Sequence, residues 1–196
     1  MLGRPFAVLA IQNTFDAMSD NSISIVPQVS AYPDRQLKAQ EIVDWLITER
    51  IVEPSASRCL LSSDLGYSIA KGAKSTAIYP DSLPFGLAVN GLEIVTERQV
   101  FDAGSNGIDK IICPKCAQNI VSDNWDLDSW SNNETDELTC TKCGLRSDIH
   151  QFHFEPARGF SNLGFRFWNW PGLTPAFIKE FEQKLGCRVR VVHQHI

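Results

Sequence analysis

Leu163-Gly164-Phe165-Arg166-Phe167-Trp168-Asn169-Trp170-Pro171-Gly172-Leu173-Thr174-Pro175 opens the passage that decides the fold. From Leu163 to Trp170 the chain reads as a strand. Successive side chains of a strand point to opposite faces, so Phe165, Phe167 and Asn169 share one side, with Arg166, Trp168 and Trp170 opposite. One face is expected to be core. Thr174 then offers a helix cap and Pro175 a first helical position, where its missing N–H costs nothing. Phe177, Ile178, Phe181 and Leu185 fall on one helical face and Gly186 marks the stop, before an apolar strand over Arg188 to His195.

The same order occurs earlier. Ser22-Ile23-Ser24-Ile25-Val26 is strand-like, a Pro33 turn follows, and Asp34 is placed to cap a helix to about Glu49. Leu37, Ile42, Trp45 and Leu46 form its apolar stripe. Two strand–helix units predict an α+β class: a mixed sheet with two helices on one face, which resembles ferredoxin-like sandwiches. Between the units, Leu92 to Phe101 reads as a strand entered through Asn90-Gly91, and His150 to Phe154 as another. The Ser-, Gly- and Pro-rich residues 54–85 are expected to form a long loop draped over the open sheet face.

Six cysteines occur in the 196 residues, and four form two close pairs: Cys113-Pro114-Lys115-Cys116 and Cys140-Thr141-Lys142-Cys143. Two residues between thiols let one tight turn aim both sulfurs at a single ion, and two facing turns complete a tetrahedral shell. An all-thiolate set selects zinc over magnesium or calcium. Two disulfides in an exported protein, or a four-cysteine iron site, are the competing readings. Over residues 111–147 the chain resembles the zinc-ribbon family, with Ala117 where glycine is common after the first knuckle. Cys113, Cys116, Cys140 and Cys143 are therefore the expected ligands of a structural Zn2+, since a closed four-cysteine shell leaves no open position for catalysis. Cys59 and Cys187 read as buried, inert thiols.

The domain organisation expected is a leader over 1–20, disordered or not native, with Met18 a candidate start. An α+β core follows over 21–110 plus 149–196, with the ribbon inserted as 111–148. Lys and Arg total 18 against 23 Asp and Glu, a net charge of −5, which disfavours a nucleic-acid partner. The ribbon is more acidic still: three Lys or Arg against seven Asp or Glu over 111–148, a net of −4. Zinc with four thiolates adds −2, so a basic protein surface is the expected partner. No run approaches the roughly 18 apolar residues of a membrane span, and a cytoplasmic location is expected.

Leu83-Pro84-Phe85, Asn90-Gly91-Leu92-Glu93, the Cys-Pro-x-Cys knuckle, Phe160-Ser161-Asn162-Leu163-Gly164-Phe165 and Phe167-Trp168-Asn169-Trp170-Pro171 together resemble a family of short bacterial proteins of unknown function. Some of its members are labelled sugar ABC transporter ATPases. That label implies a Walker loop. Here Gly66 and Gly72 are separated by five residues and Ala73 stands between Gly72 and Lys74, so the phosphate-wrapping spacing fails. The resemblance implies a bacterial cytoplasmic setting and no mechanism.

These residues are compatible with three functions. The favoured one is a non-enzymatic protein-interaction module of inhibitor, immunity or adaptor type, presenting Trp125, Trp130, Arg166, Trp168 and Trp170, residue types enriched at binding hot spots. The second is an enzyme with a site between the 54–85 loop and the sheet, using His153, Glu155, Arg158 or Arg166. The third is a nucleic-acid binder with a basic strip of Lys179, Lys184, Arg188 and Arg190. His193 and His195, on one face of a strand, would add a second metal or acid–base site if the 150–154 strand paired beside them.

Overall fold

The computed structural model describes residues 20–196, so the leader up to residue 19 and the candidate start at Met18 lie outside the described residues. In chain order the strands are β1 (Asn21–Pro27), β2 (Val52–Ser57), β3 (Gly66–Ile69), β4 (Leu92–Val95), β5 (Gln99–Phe101) and β6 (Lys110–Ile112). β7 (Glu137–Thr139), β8 (Arg146–Asp148), β9 (His153–Glu155), β10 (Gly159–Ser161), β11 (Gly164–Trp168) and β12 (Val189–His195) complete the set. The helices are α1 (Arg35–Thr48), the single turn α2 (Asp128–Ser131) and α3 (Pro175–Leu185).

Six strands form one sheet in the order β12-β1-β11-β4-β3-β2. Every pairing in it is antiparallel, not mixed as expected, because the two strand–helix units meet through adjacent central strands, Ile23 opposite Phe167 and Ile25 opposite Phe165. Both helices cover one face. Ile42 and Leu46 of α1, Phe177, Phe181 and Leu185 of α3, and Ile23, Ile25, Phe165 and Phe167 of the sheet belong to one buried cluster. Trp45 joins the helices, its ring centroid 5.7 Å from Phe177 and 5.2 Å from Phe181.

The α3 signals act as read: Thr174 Oγ1 accepts the Phe177 amide at 3.3 Å and Gly186 ends the helix. At α1 they do not. Asp34 adopts a left-handed backbone with no side-chain cap, and Leu37 is 69% exposed, so the stripe shifts to Ala39, Ile42, Val43 and Leu46.

Residues 54–85 are not a loop over the open face. They make β2 and β3, which widen the sheet, followed by two short 3-10 turns at 71–75 and 80–82 that feed Ala73, Ala77 and Leu83 into the main core. The opposite face of the sheet is covered instead by the β5–β10 pair, whose Phe101 ring lies so close to Gly164 that a Cβ there would sit 2.2 Å from it. The expected single strand over 92–101 is broken after Val95 to send β5 into this second layer.

The insertion begins and ends on one ladder. Lys110 faces Glu155, Ile111 faces Phe154 and Ile112 faces His153 in the β6–β9 pair. Ile149, Phe152 and Phe154 therefore pack with Ile111, Ile120, Trp130 and Leu138, and this second cluster reaches Phe160 of β10. The ribbon's packing thus extends on both sides of 111–148, and the strand expected at 150–154 is instead a 3-10 turn over Ile149–Gln151 followed by β9, both part of that packing.

Candidate metal centre

The two cysteine pairs sit at the ends of two equivalent turns. In each, the first cysteine's carbonyl accepts the amide four residues on, Ala117 to Cys113 at 3.0 Å and Gly144 to Cys140 at 2.9 Å. Each first cysteine's amide donates one residue further, to Gln118 at 3.1 Å and Leu145 at 2.8 Å. The Lys115 amide points at the Cys113 sulfur, 3.4 Å away. Closing the turns in this way requires a left-handed residue after the second cysteine. Gly144 has φ +69° and Ala117 has φ +57°, so Ala117 takes up the left-handed conformation that glycine commonly supplies after a knuckle.

All four sulfurs lie within 4.8 Å of one another, with Cys113 Sγ 3.8 Å from Cys143 Sγ and Cys116 Sγ 3.8 Å from Cys140 Sγ. A tetrahedron with metal–sulfur bonds of about 2.3 Å has edges of about 3.8 Å. Two of the six edges match that value and the others lie within 4.8 Å, so the residues fit a four-thiolate ion. Cys113 and Cys140 are buried and Cys116 and Cys143 half-buried, so the site is closed on the side of the second cluster.

Burial pushes the Cys113 thiol up, but the amides of Cys116 and Lys115 aimed at its sulfur outweigh this and bring it down to about 7. At Cys116 the Gln118 amide pulls down, while burial and hydrogen bonds with the thiols of Cys113, Cys143 and Cys140 carry it up to about 11. The thiols are coupled, so ionising one hinders the next. Four adjacent thiolates need a cation among them, which is what a divalent ion supplies.

The remaining expected site residues separate. Trp130 is 1% exposed, Trp168 5% and Trp170 4%, so none of the three is presented to a partner. Each indole N–H has an internal acceptor: Ser30 Oγ at 3.0 Å for Trp130, Glu93 at 2.9 Å for Trp168 and the Asn90 carbonyl at 2.8 Å for Trp170. Arg166 is half-buried and donates to the same Glu93 oxygen at 3.1 Å. Trp125 remains at the surface, half-buried, its N–H held by the Val121 carbonyl at 2.9 Å.

Of the suggested catalytic set, His153 and Glu155 stand two residues apart on β9, and Arg158 and Arg166 lie elsewhere. Glu155 pairs with Lys110 at 2.8 Å, Arg158 lies 3.7 Å from Asp102, Arg166 binds Glu93, and His153 is held in the β6–β9 ladder. His193 and His195 stand on β12, whose strand partner is β1, and line a cleft of about 460 Å3 with Trp170 and Asn169. The basic strip is also divided. Arg190 pairs with Val26 on the face opposite the helices, whereas Lys179 and Lys184 are on α3.

The seam between ribbon and core was not anticipated. Arg98 donates from Nε to the Trp130 carbonyl at 2.7 Å and from Nη2 to the Thr135 carbonyl at 3.2 Å and to Asp136 at 2.6 Å. Ser30 Oγ accepts from Trp130 and lies 3.3 Å from His150 Nε2. Burial pushes the His150 imidazole below its ordinary value. No sequence motif marks a Ser–Trp–His–Arg group drawn from such distant positions.

Among the described residues no helix is long and apolar enough to cross a membrane. Compared with protein-family models, curated proteins and solved structures, the chain matches none.

Proposed function

We propose that this chain is a non-enzymatic protein-interaction module of inhibitor, immunity or adaptor type, in which a structural Zn2+ held by Cys113, Cys116, Cys140 and Cys143 stiffens an acidic ribbon for a basic partner protein. The observation that carries it is the ribbon's surface. Asp126, Asp128 and Glu134 are exposed and enter none of the ion pairs found among the described residues, while the ribbon's Lys142 and Arg146 are already matched to Asp123 and Glu137. Such a surface repels phosphate backbones and attracts cationic protein surfaces. The closed thiol set supports a structural ion, and the order β12-β1-β11-β4 around two helices supports a ferredoxin-like core. A bacterial cytoplasmic setting, as in the family the sequence resembles, belongs to this reading.

The test is capture of partners by the tagged chain from nuclease-treated extracts, beside a variant with Asp126, Asp128 and Glu134 replaced by Lys. A stoichiometric partner lost in the variant supports the reading. The same partners in both captures, or none in either, overturn it.

A further inference from the structure

The ribbon carries a groove of about 280 Å3 between its 124–129 segment and the β7–β8 hairpin, lined among others by Trp125, Asp126, Ser129, Glu137, Thr139 and Arg146. We propose that this groove docks an extended arginine- or lysine-bearing segment of a basic protein, the cation seated between Asp126 and Glu137 and its stem laid along Trp125. The inference rests on the interaction-module reading and gives that module its contact site.

Three observations select a cation on a flexible stem. The aromatic wall is preset, because the Trp125 N–H is tied to the Val121 carbonyl, and a fixed indole is the best of the aromatic rings for a cation. The carboxylate of Asp126 is preset as well: it accepts from Ser129 Oγ at 2.6 Å and from the Asp128 amide at 2.7 Å. These two bonds, the hydroxyl's first, keep it below the usual carboxylate range. Third, the chain already shows the recognition in miniature, since the guanidinium of its own Arg146 reaches Glu137 at 2.5 Å from an exposed position. An incoming arginine would displace Arg146 from that carboxylate. Asp128 and Glu134 nearby are exposed and outside the ion pairs among the described residues, so the rim favours positive charge and disfavours nucleic acid.

The experiment titrates the metal-loaded full chain with a labelled Ac-(Arg-Gly)5-amide peptide and its Ac-(Glu-Gly)5-amide counterpart at low salt, following anisotropy and the Trp125 indole N–H resonance. The arginine peptide should bind and shift that resonance, and the glutamate peptide should not. Asp126→Asn with Glu137→Gln should weaken binding roughly fivefold, two partly exposed charge contacts being removed. Arg146→Gln should tighten it about twofold by releasing Glu137, a gain that structural damage does not produce. Unchanged affinity in the double variant, weaker binding by Arg146→Gln, or shifts confined to other residues would overturn the groove. So would equal binding of both peptides, or none. Partner capture by the charge-reversed ribbon is read independently, so the groove can fail while the interaction module stands.

Discussion

The guanidinium carbon of Arg98 lies 3.9 Å from the centroid of the Trp130 ring while its Nε donates to the carbonyl of the same residue at 2.7 Å. One side chain therefore fixes both the ring and the backbone of the ribbon's single helical turn. Arg98 is itself mostly buried, whereas Asp136 is half exposed, so water screens the ion pair from its acidic side. Arg98→Ala should cost about 2 kcal/mol in denaturant unfolding, since charge-assisted bonds to the Thr135 carbonyl and Asp136 are lost while the Trp130 carbonyl keeps the Asn133 amide at 3.0 Å. Ser30→Ala leaves the Trp130 ring and its packing in place and removes the acceptor of its indole N–H, and should cost about 1 kcal/mol. Equal losses in both variants would contradict this division.

Ala117 offers a cleaner measurement. Its φ of +57° is left-handed, a conformation costing a Cβ-bearing residue roughly 1–2 kcal/mol. Ala117→Gly should therefore raise the ribbon's stability by about 1 kcal/mol. Gly144→Ala should lower it by a similar amount, since a Cβ at Gly144 meets nothing within 4 Å and only the φ of +69° opposes it. Thermal unfolding of the metal-loaded variants tests both signs, and the two changes should nearly cancel when combined.

What was legible follows from how far each signal reaches along the chain. β11, α3 and β12 announce themselves through local features: alternation across Phe165 and Phe167, the Thr174 cap and the Gly186 stop. The four-cysteine set was legible for the same reason, since each pair lies within one turn. β2 was not, because at the sheet edge only Val52 is buried and Glu53-Pro54-Ser55-Ala56 face solvent, leaving no apolar period to read. The misplacement of Trp130, Trp168 and Trp170 has a different origin. An exposed and a buried indole look alike in sequence, and what buries these three are acceptors at Ser30, Glu93 and Asn90, at least 75 residues away.

Removing the ion should unfold the ribbon, because ligand geometry and the second cluster share Cys113 and Cys140. Chelation of the zinc-loaded chain, or Cys140→Ser, should abolish the near-ultraviolet signal of Trp125 and Trp130 while the six-stranded core keeps its far-ultraviolet spectrum. Elemental analysis should return one ion per chain, and cobalt substitution should give the absorption of a tetrahedral four-thiolate centre. A chain verified as metal-free with unchanged thermal stability would refute the coupling.

Glu93 accepts from Arg166 at 3.1 Å and from Trp168 at 2.9 Å through one oxygen on the sheet face opposite the helices. Glu93→Gln keeps the shape and leaves Arg166 charged in a mostly covered position. We expect a loss of about 2–3 kcal/mol, below the roughly 3–5 kcal/mol of a fully buried pair, since both partners retain some exposure. The Glu93→Met, Arg166→Met double variant should recover most of it, because removing both charges removes the stranded one. Failure of the double variant to recover would show that the pair serves the packing of Trp168 and not merely its own charges.

His150 makes the seam between ribbon and core sensitive to acid. Its imidazole is packed against Phe160 and Ser30, and burial lowers its value from 6.5, opposed by Asp148 and Asp136 and reinforced by Arg190 and Arg98. Above pH 6.5 the ring is neutral in both folded and unfolded chains, and its contribution to stability is complete. Below 6.5 the unfolded chain takes up the proton first, so stability is lost progressively until the pH passes the lower folded value, after which the loss is constant. His150→Gln retains a side chain able to bond Ser30 but does not titrate. The difference in unfolding free energy between the metal-loaded wild type and this variant should therefore be flat above pH 7 and shift against the wild type as the pH falls below 6.5. Comparing the two at each pH removes the acid sensitivity of the thiolates, which is common to both. A difference independent of pH would mean that His150 charges equally well in the folded chain, and the proposed acid sensitivity of the seam would fail.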